Sequence, residues 1–238
     1  MLCRRHGVTG VDRPISLLGI EAPGEEKKRD RVLIDAEIEA LWAACGKGEP
    51  DGSGGIGEPF GSFTKMLLLT GQRRAEVAEM RWSEIDEGKC LWTTPGGRTK
   101  NKLVHIVPLS TQAMAIIESV TRIAGDFVFT TTGNSGLGGF SRAKERTNKR
   151  MKAAKPWTFH DLRRTASTGM SSLGVQPHVV EAVINHISGS KAGVAGTYNR
   201  WAYLPEKTHA LQLWADHLER LVVGKPAAKV IPIRSRRS

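Results

Sequence analysis

Cysteine is scarce in this sequence. Cys3, Cys45 and Cys90 are all there is in 238 residues. They are too few and too scattered for a disulfide framework, and their spacing suits no zinc site, which favours a reducing cytoplasm. No uninterrupted apolar run approaches the ~20 residues of a membrane span. The first residues have no apolar core of the kind that marks a secretory signal. No cluster of carboxylates is spaced for Mg²⁺, and no internal repeat is visible. Tyrosine is nearly absent, with Tyr198 and Tyr203 alone. What remains is 39% apolar and 25% charged, which excludes a disordered or collagen-like chain. The length suits one large domain, or one domain with appendages.

Acidic residues are outnumbered, 24 against 35 lysines and arginines, for a formal charge of +11. The excess is concentrated. Between Arg142 and Arg164 stand nine basic residues against Glu145 and Asp161, a local +7, and Lys225 to Ser238 adds five more with no acid. Two basic stripes on an otherwise balanced body suggest a polyanion footprint, nucleic acid being the favoured partner. The plain alternative is a solvated surface with a basic tail.

Residues 1–30 read as a connector or the remnant of an upstream region, because Gly10, Pro14, Gly19, Pro23 and Gly24 interrupt every short apolar run. Ile38, Leu41, Trp42 and Cys45 recur at helical spacing behind Asp35, a candidate N-cap, and Gly46 ends that helix. A glycine-rich loop over 46–57 follows. The pattern then predicts a helix over 60–69, a break at Gly71 and a resumption over 76–80. Strands are expected over 89–94 and 103–109 around Gly96-Gly97, and a third over the apolar Phe127-Val128-Phe129. A helix through Met114 and Ile117 lies between the last two strands. Further helices are predicted over 138–152, 159–173 and 177–187. A last one starts near Pro205 and carries Leu211, Trp214, Leu218 and Leu221. The sum is a predominantly helical α+β domain with one small antiparallel sheet of about three strands.

Four stretches carry chemistry. Thr70-Gly71-Gln72-Arg73 followed by Glu76 places an arginine just after a helix break with an acid three residues on. Such an acid holds the guanidinium so that it presents a planar fork to a phosphate, although a surface ion pair reads the same way. His160 and Arg163 stand at i,i+3 on one helix face, within reach of a single anion. Arg98-Thr99-Lys100-Asn101-Lys102 lies on the predicted hairpin, where lysines are usually just solvated. Ile184-Asn185-His186 precedes Gly196-Thr197-Tyr198-Asn199-Arg200, and a tyrosine among such neighbours is not an obvious core residue.

Taken together and in this order, these pieces resemble the tyrosine recombinases, the phage-type integrases, over about residues 31–220. That family shows Thr-Gly-x-Arg-x-x-Glu, a hairpin lysine, His-x-x-Arg, a further His or Trp, and a tyrosine near the C-terminus. The matching positions are Arg73 with Glu76 in support, Lys100, His160, Arg163, His186 and Tyr198. The resemblance implies that Tyr198 attacks a DNA phosphodiester to form a 3′-phosphotyrosine, which stores the bond energy without ATP. Arg73, Arg163 and His186 would clamp the non-bridging oxygens, His160 would be a further donor or a base, and Lys100 the general acid for the departing 5′-hydroxyl. Fixed cations take the place of a metal, and no cofactor is expected. Lys102 competes with Lys100, and two residues apart in an extended segment they share a face. Tyr203 is the alternative nucleophile, with Trp201, Ala202 and Leu204 suggesting packing instead. The family often has Leu-Gly-His where this chain has Ile184-Asn185-His186, a loss of glycine that bears on the backbone. His105, His178, His209 and His217 read as ordinary histidines, and the six tryptophans as mostly core.

The resulting layout is a connector over 1–30, a recombinase catalytic domain over 31–223 and a basic tail over 224–238, without the core-binding domain such integrases place ahead of the catalytic one. Arg142, Lys144, Arg146, Lys149, Arg150 and Lys152 are the candidate DNA contacts. The expected activity is integration or excision of a mobile element, with self-association as a tetramer on DNA. The terminal apolar stripe packs either on its own domain or on a neighbouring subunit. A type IB topoisomerase and a recombination-inactive DNA-binding remnant are the rival readings.

Overall fold

The computed structural model describes residues 30–48, 54–152, 155–186 and 203–224. In chain order they form α1 (Asp35–Ala44), α2 (Phe60–Thr70), α3 (Arg74–Ala78), β1 (Ile85–Asp86), β2 (Leu91–Thr94), β3 (His105–Pro108), α4 (Thr111–Ser119), α5 (Phe140–Met151), α6 (Phe159–Ser172), α7 (Pro177–Val183) and α8 (Leu204–Val223). Single 3-10 turns occur at Trp82–Glu84 and Gly96–Arg98. Among the described residues no helix is long and apolar enough to cross a membrane.

The helices form because their apolar residues fall on defined faces, and α2 is the extreme case. Phe63, Met66, Leu67, Leu68 and Leu69 are all buried, so this helix is enclosed on every side, packed against α4, α6 and α8. The Phe63 ring meets those of Phe129, Phe140 and Phe159 at centroid distances of 6.0, 5.4 and 5.8 Å, joining the loop before α5 and the starts of α5 and α6 to the core. The stripe on α8 faces inward. Leu211, Trp214 and Leu218 are buried, and the Trp214 indole donates to the Leu68 carbonyl at 2.8 Å. Gly169 on α6 makes room for it, since a Cβ there would sit 2.2 Å from the ring. The stripe is thus occupied by its own domain and is not left for a neighbouring subunit.

The sheet is antiparallel in the order β1-β2-β3, with Trp92 opposite Ile85 on one side and Val107 on the other. Its third strand is Ile85–Asp86 and not the predicted 127–129. There Phe127 forms one bridge to Arg81, Val128 donates to Met80, and Trp82 donates to Asp126. The pairing stops because the opposite chain curls into the 3-10 turn at Trp82. Val128 and Phe129 are still buried, so the apolar run is a core contact without a ladder. The start of α1 also differs from expectation. Ile34 is the N-cap, while Asp35 opens the first turn, where a negative charge suits the helix dipole.

Candidate active site

The site is built where four segments meet at the C-terminal end of α7. That helix closes in a Schellman turn: His186 N–H donates to Glu181 O at 2.9 Å and Asn185 N–H to Ala182 O at 3.4 Å. Such a turn needs a left-handed residue, and Asn185 takes that role with φ of 50°. Asparagine tolerates this region through its short polar side chain, so the absence of the family's glycine leaves the turn intact.

The last carbonyls of a helix have no partner within it and lie at the negative end of its dipole. Here the carbonyls of Val183, Ile184 and Asn185, at and just past the end of α7, are taken by two arginines the sequence singled out and by two groups it did not. Val183 O accepts from Gln72 Nε2 at 2.9 Å and lies 3.0 Å from His105 Nε2. Ile184 O accepts from the Arg163 guanidinium, and Asn185 O from the Arg73 guanidinium at 3.2 Å. Both arginines and the backbone of His186 are therefore referenced to one turn.

Each arginine has a second support. Arg73 donates to Glu76 Oε1 at 3.0 Å, and Glu76 Oε2 accepts from the Arg73 backbone N–H at 3.1 Å. Buried Glu76 thus ends the helix break and orients the guanidinium, a stronger arrangement than a surface ion pair. Arg163 is buried and donates to Gly71 O at 2.9 Å. Gly71 caps α2 with φ of 63°, and a Cβ there would meet Ala166 at 3.3 Å. Burial, then the like charge of Arg73, lowers the Arg163 pKa from 12.5 to about 10, with Glu76 opposing. It remains charged at neutral pH.

A cavity of about 550 Å³ opens on these groups, lined by Gln72, Arg73, Arg74, Phe140, Lys144, His160 and Arg163 among others. His160 is exposed at its rim. Partial desolvation, then the charges of Arg164 and Arg163, hold its imidazole below the usual 6.5. Asp161, buried beneath it, accepts from Thr158 N–H at 2.7 Å and from Arg164 at 2.7 Å, which fixes the start of α6. Arg74 and Gln72 were not singled out from the sequence. Arg74 had no signal beyond its neighbour, and Gln72 is a variable position inside the Thr-Gly-x-Arg pattern.

The loop between β2 and β3 is not an extended hairpin. Gly96 passes so close to Lys102 O that a Cβ would lie 2.4 Å away, and Thr99 Oγ1 donates to Leu103 O at 2.7 Å. Lys102 is left-handed, with φ of 59°, so the two-residue alternation that put Lys100 and Lys102 on one face does not apply. Both lysines are exposed. Between them, Asn101 reaches across to the Asn185 side chain, with Nδ2 donating to Oδ1 at 2.6 Å. The loop tip is thereby joined to the turn that carries His186, itself exposed.

The basic helix α5 is only partly free. Arg146 donates to Ile56 O and Arg150 to Gly54 O, each at 2.8 Å, and Lys149 pairs with Glu145 at 3.0 Å. These two arginines tie α5 to the glycine-rich segment instead of pointing wholly outward. Lys144 lines the cavity, with its ammonium 5.5 Å from the Trp157 ring, and Arg142 and Lys152 are exposed. Tyr198 lies outside the described residues. Tyr203 caps α8 with φ of 60°, its ring 5.2 Å from that of His178, and does not line the cavity.

His105 gives the site a measurable pH signature. Burial, then the nearby Lys207 ammonium, lowers its pKa from 6.5 to about 3. The folded state binds this proton less readily than the unfolded chain. The stability gained from the neutral ring is therefore complete above about pH 6.5 and is lost as pH falls toward 3, by up to about 1.4 kcal/mol per pH unit. His105→Gln, which can still donate to Val183 O, should flatten the acid limb of the urea-unfolding free energy between pH 6.5 and 4. Parallel curves for the variant and the parent would show that His105 does not titrate in this way.

The chain has relatives among known proteins and solved structures. Prophage integrase IntA of Escherichia coli is 36% identical over 151 residues, 63% of this chain and 36% of its own length. The integrase of Shigella phage Sf6 is 26% identical over 162 residues, covering 67% of this chain and 42% of the phage protein. The chain spans about two fifths of the length of the curated relatives it matches. Among solved structures, a lambda integrase dimer bound to a COC′ core site aligns with a TM-score of 0.54 at 18% identity, covering 71% of this chain and 62% of that one. The integrase of mycobacterium phage Brujita aligns with a TM-score of 0.56 at 16% identity, covering 85% of this chain and 67% of its own. The shared fold is thus that of the tyrosine recombinase catalytic core. The phage integrase family model matches residues 31–202, and the chain belongs to that family.

Proposed function

We propose that this chain carries the catalytic domain of a site-specific DNA recombinase, which cleaves and rejoins strands through a 3′-phosphotyrosine to integrate or excise a mobile element. The observation that carries the reading is the end of α7, where successive carbonyls hold Arg163 and Arg73 at one cavity beside His160. A pentacoordinate phosphate spreads negative charge over its non-bridging oxygens, and two pre-oriented guanidiniums meet that charge without reorganising. His186, next in the chain after Asn185, would donate to the same oxygens. An imidazole held below its usual pKa is neutral at physiological pH, which suits His160 to accept the phenolic proton of Tyr198. Lys100 on the docked loop would protonate the departing 5′-oxygen.

In this reading residues 31–223 form the catalytic unit, 1–30 a connector and 224–238 a basic tail. The partner is double-stranded DNA, bound by Arg142, Lys144, Lys149 and Lys152 as well as the site, with affinity falling steeply in salt. Paired cleavage calls for self-association on DNA, as a tetramer, and the place of work is the cytoplasm.

The test is a suicide substrate whose nick lets the short cleaved product diffuse away, so that religation fails. The protein should become covalently attached to the DNA 3′ end, seen as a band that survives denaturation. A mobility shift without adduct would favour a DNA-binding remnant and defeat the enzymatic reading. Relaxation of a supercoiled plasmid without joining of paired sites would assign the chemistry to a topoisomerase-like enzyme.

A further inference from the structure

We propose that the Asn101–Asn185 amide pair is a positioning device that holds the β2–β3 loop over the reacting phosphate, so that the loop lysine delivers its proton only when the arginine clamp is assembled. The inference rests on the proposed role of Lys100 as the general acid.

The geometry is reciprocal. Asn101 Nδ2 donates to Asn185 Oδ1 at 2.6 Å, and Asn185 Nδ2 faces Asn101 Oδ1 at 3.4 Å. Asn101 Oδ1 also accepts from Leu103 N–H at 3.2 Å, which fixes the turn of the loop on the far side of the two lysines. One side chain therefore sets both the shape of the tip and its attachment. On the other side, Asn185 links three things through separate atoms. Its left-handed backbone closes α7, its carbonyl holds Arg73, and its amide holds the loop. Glycine at this position would supply the first two and not the third. The carbonyl bond to Arg73 and the amide bond to Asn101 come from one residue, so displacement of either group is felt by the other. A lysine on a long exposed loop has many conformations, and an anchor on the adjacent residue removes a large part of that freedom before the substrate arrives.

In the step being served, His160 takes the phenolic proton of Tyr198. The phenolate oxygen forms a bond to phosphorus, the bond from phosphorus to the 5′-oxygen breaks, and the lysine ammonium transfers its proton to that oxygen. Replacing the bridging oxygen by sulfur gives a leaving group whose thiol pKa is near 8.5, so it departs without protonation. This substitution separates proton delivery from every other role.

The experiment measures single-turnover cleavage of a nicked DNA substrate, and of its 5′-bridging phosphorothiolate, by the full chain and by Asn101→Ala, Asn185→Gly, the double variant and Lys100→Ala. On ordinary DNA, Lys100→Ala is expected to slow cleavage by about 10²-fold or more. Each asparagine variant is expected to slow it about 10-fold, with the double variant no slower than Asn101→Ala, because the inter-amide linkage is already lost in that single variant. On the phosphorothiolate all four should return to within about threefold of the parent. If Lys100→Ala is rescued and the asparagine variants are slow on both substrates, the pair is merely structural and the inference fails alone. It also fails if the asparagine variants cleave ordinary DNA at the parental rate. If Lys100→Ala is itself not rescued, the general-acid reading falls and the inference falls with it. Melting temperature and DNA band shift serve as controls, and Asn185→Gly retains a residue suited to the left-handed turn.

Discussion

Arg163→Ala should lower the first-order rate of strand cleavage by about 10³-fold while leaving DNA in the bound state at saturating protein. Removal of one preorganised donor to a developing oxyanion costs on the order of 3–4 kcal/mol in a water-excluded site, and a full cation is lost here. The Arg163 guanidinium is buried, so a phosphate bound there would meet it with little competition from water. Its fork is fully defined by the protein, with one nitrogen on Gly71 O and another on Ile184 O. Alanine would leave those two carbonyls without their donor, at about 1–3 kcal/mol for each that stays dry, so the variant should also be less stable. Arg163→Lys separates these effects. It restores a charge but cannot span two carbonyls and a phosphate, and a loss of about 10²-fold is expected. The measurement is single-turnover cleavage of the nicked substrate alongside urea unfolding. A cleavage rate within threefold of the parent for a folded Arg163→Ala would remove this residue from the clamp.

The same arginine shows where sequence reasoning succeeds and where it stops. His160 and Arg163 at i,i+3 could be placed on one helical face, because 3.6-residue periodicity is a local property. The hydrophobic spacing of Ile38, Leu41 and Cys45, or of Leu211, Trp214 and Leu218, located helices for the same reason, and all six are buried. What was not legible was the partner of each side chain. Nothing local to Arg163 says that Gly71 and Ile184 will accept from it, since those contacts span 92 and 21 residues. Arg146 and Arg150 looked like DNA contacts by charge alone, yet their guanidiniums satisfy Ile56 and Gly54 carbonyls in the loop beside α1. The run Phe127-Val128-Phe129 has strand composition, but a ladder also needs an extended neighbour, and that neighbour turns away at Trp82. Asn185 is the most instructive position. Read as a lost glycine it bears on the backbone, yet the left-handed φ is kept and the added side chain takes a partner 84 residues away.

Tyr198→Phe is expected to abolish the covalent adduct altogether while leaving the mobility shift unchanged. The substitution removes one oxygen and no cation, so the attraction between the basic site and the phosphate backbone is untouched. The proposed nucleophile is gone, because a benzene ring has no group that can form a phosphate ester. Water could attack in its place, but without the stored phosphotyrosine bond any such event ends in hydrolysis, and rejoining would be lost with it. Tyr203→Phe is the matched control. The Tyr203 ring packs 5.2 Å from that of His178 at the start of α8, and the residue is not among those lining the cavity. Its loss should alter cleavage by less than about threefold, the size of effect left when a group outside the reacting set is trimmed. Denaturing gels with end-labelled DNA, followed by mapping of the labelled peptide, distinguish the two. An adduct that persists in Tyr198→Phe and vanishes in Tyr203→Phe would exchange their roles. One that survives both changes would mean that some other side chain attacks, and that the cations gathered at the end of α7 serve a different nucleophile.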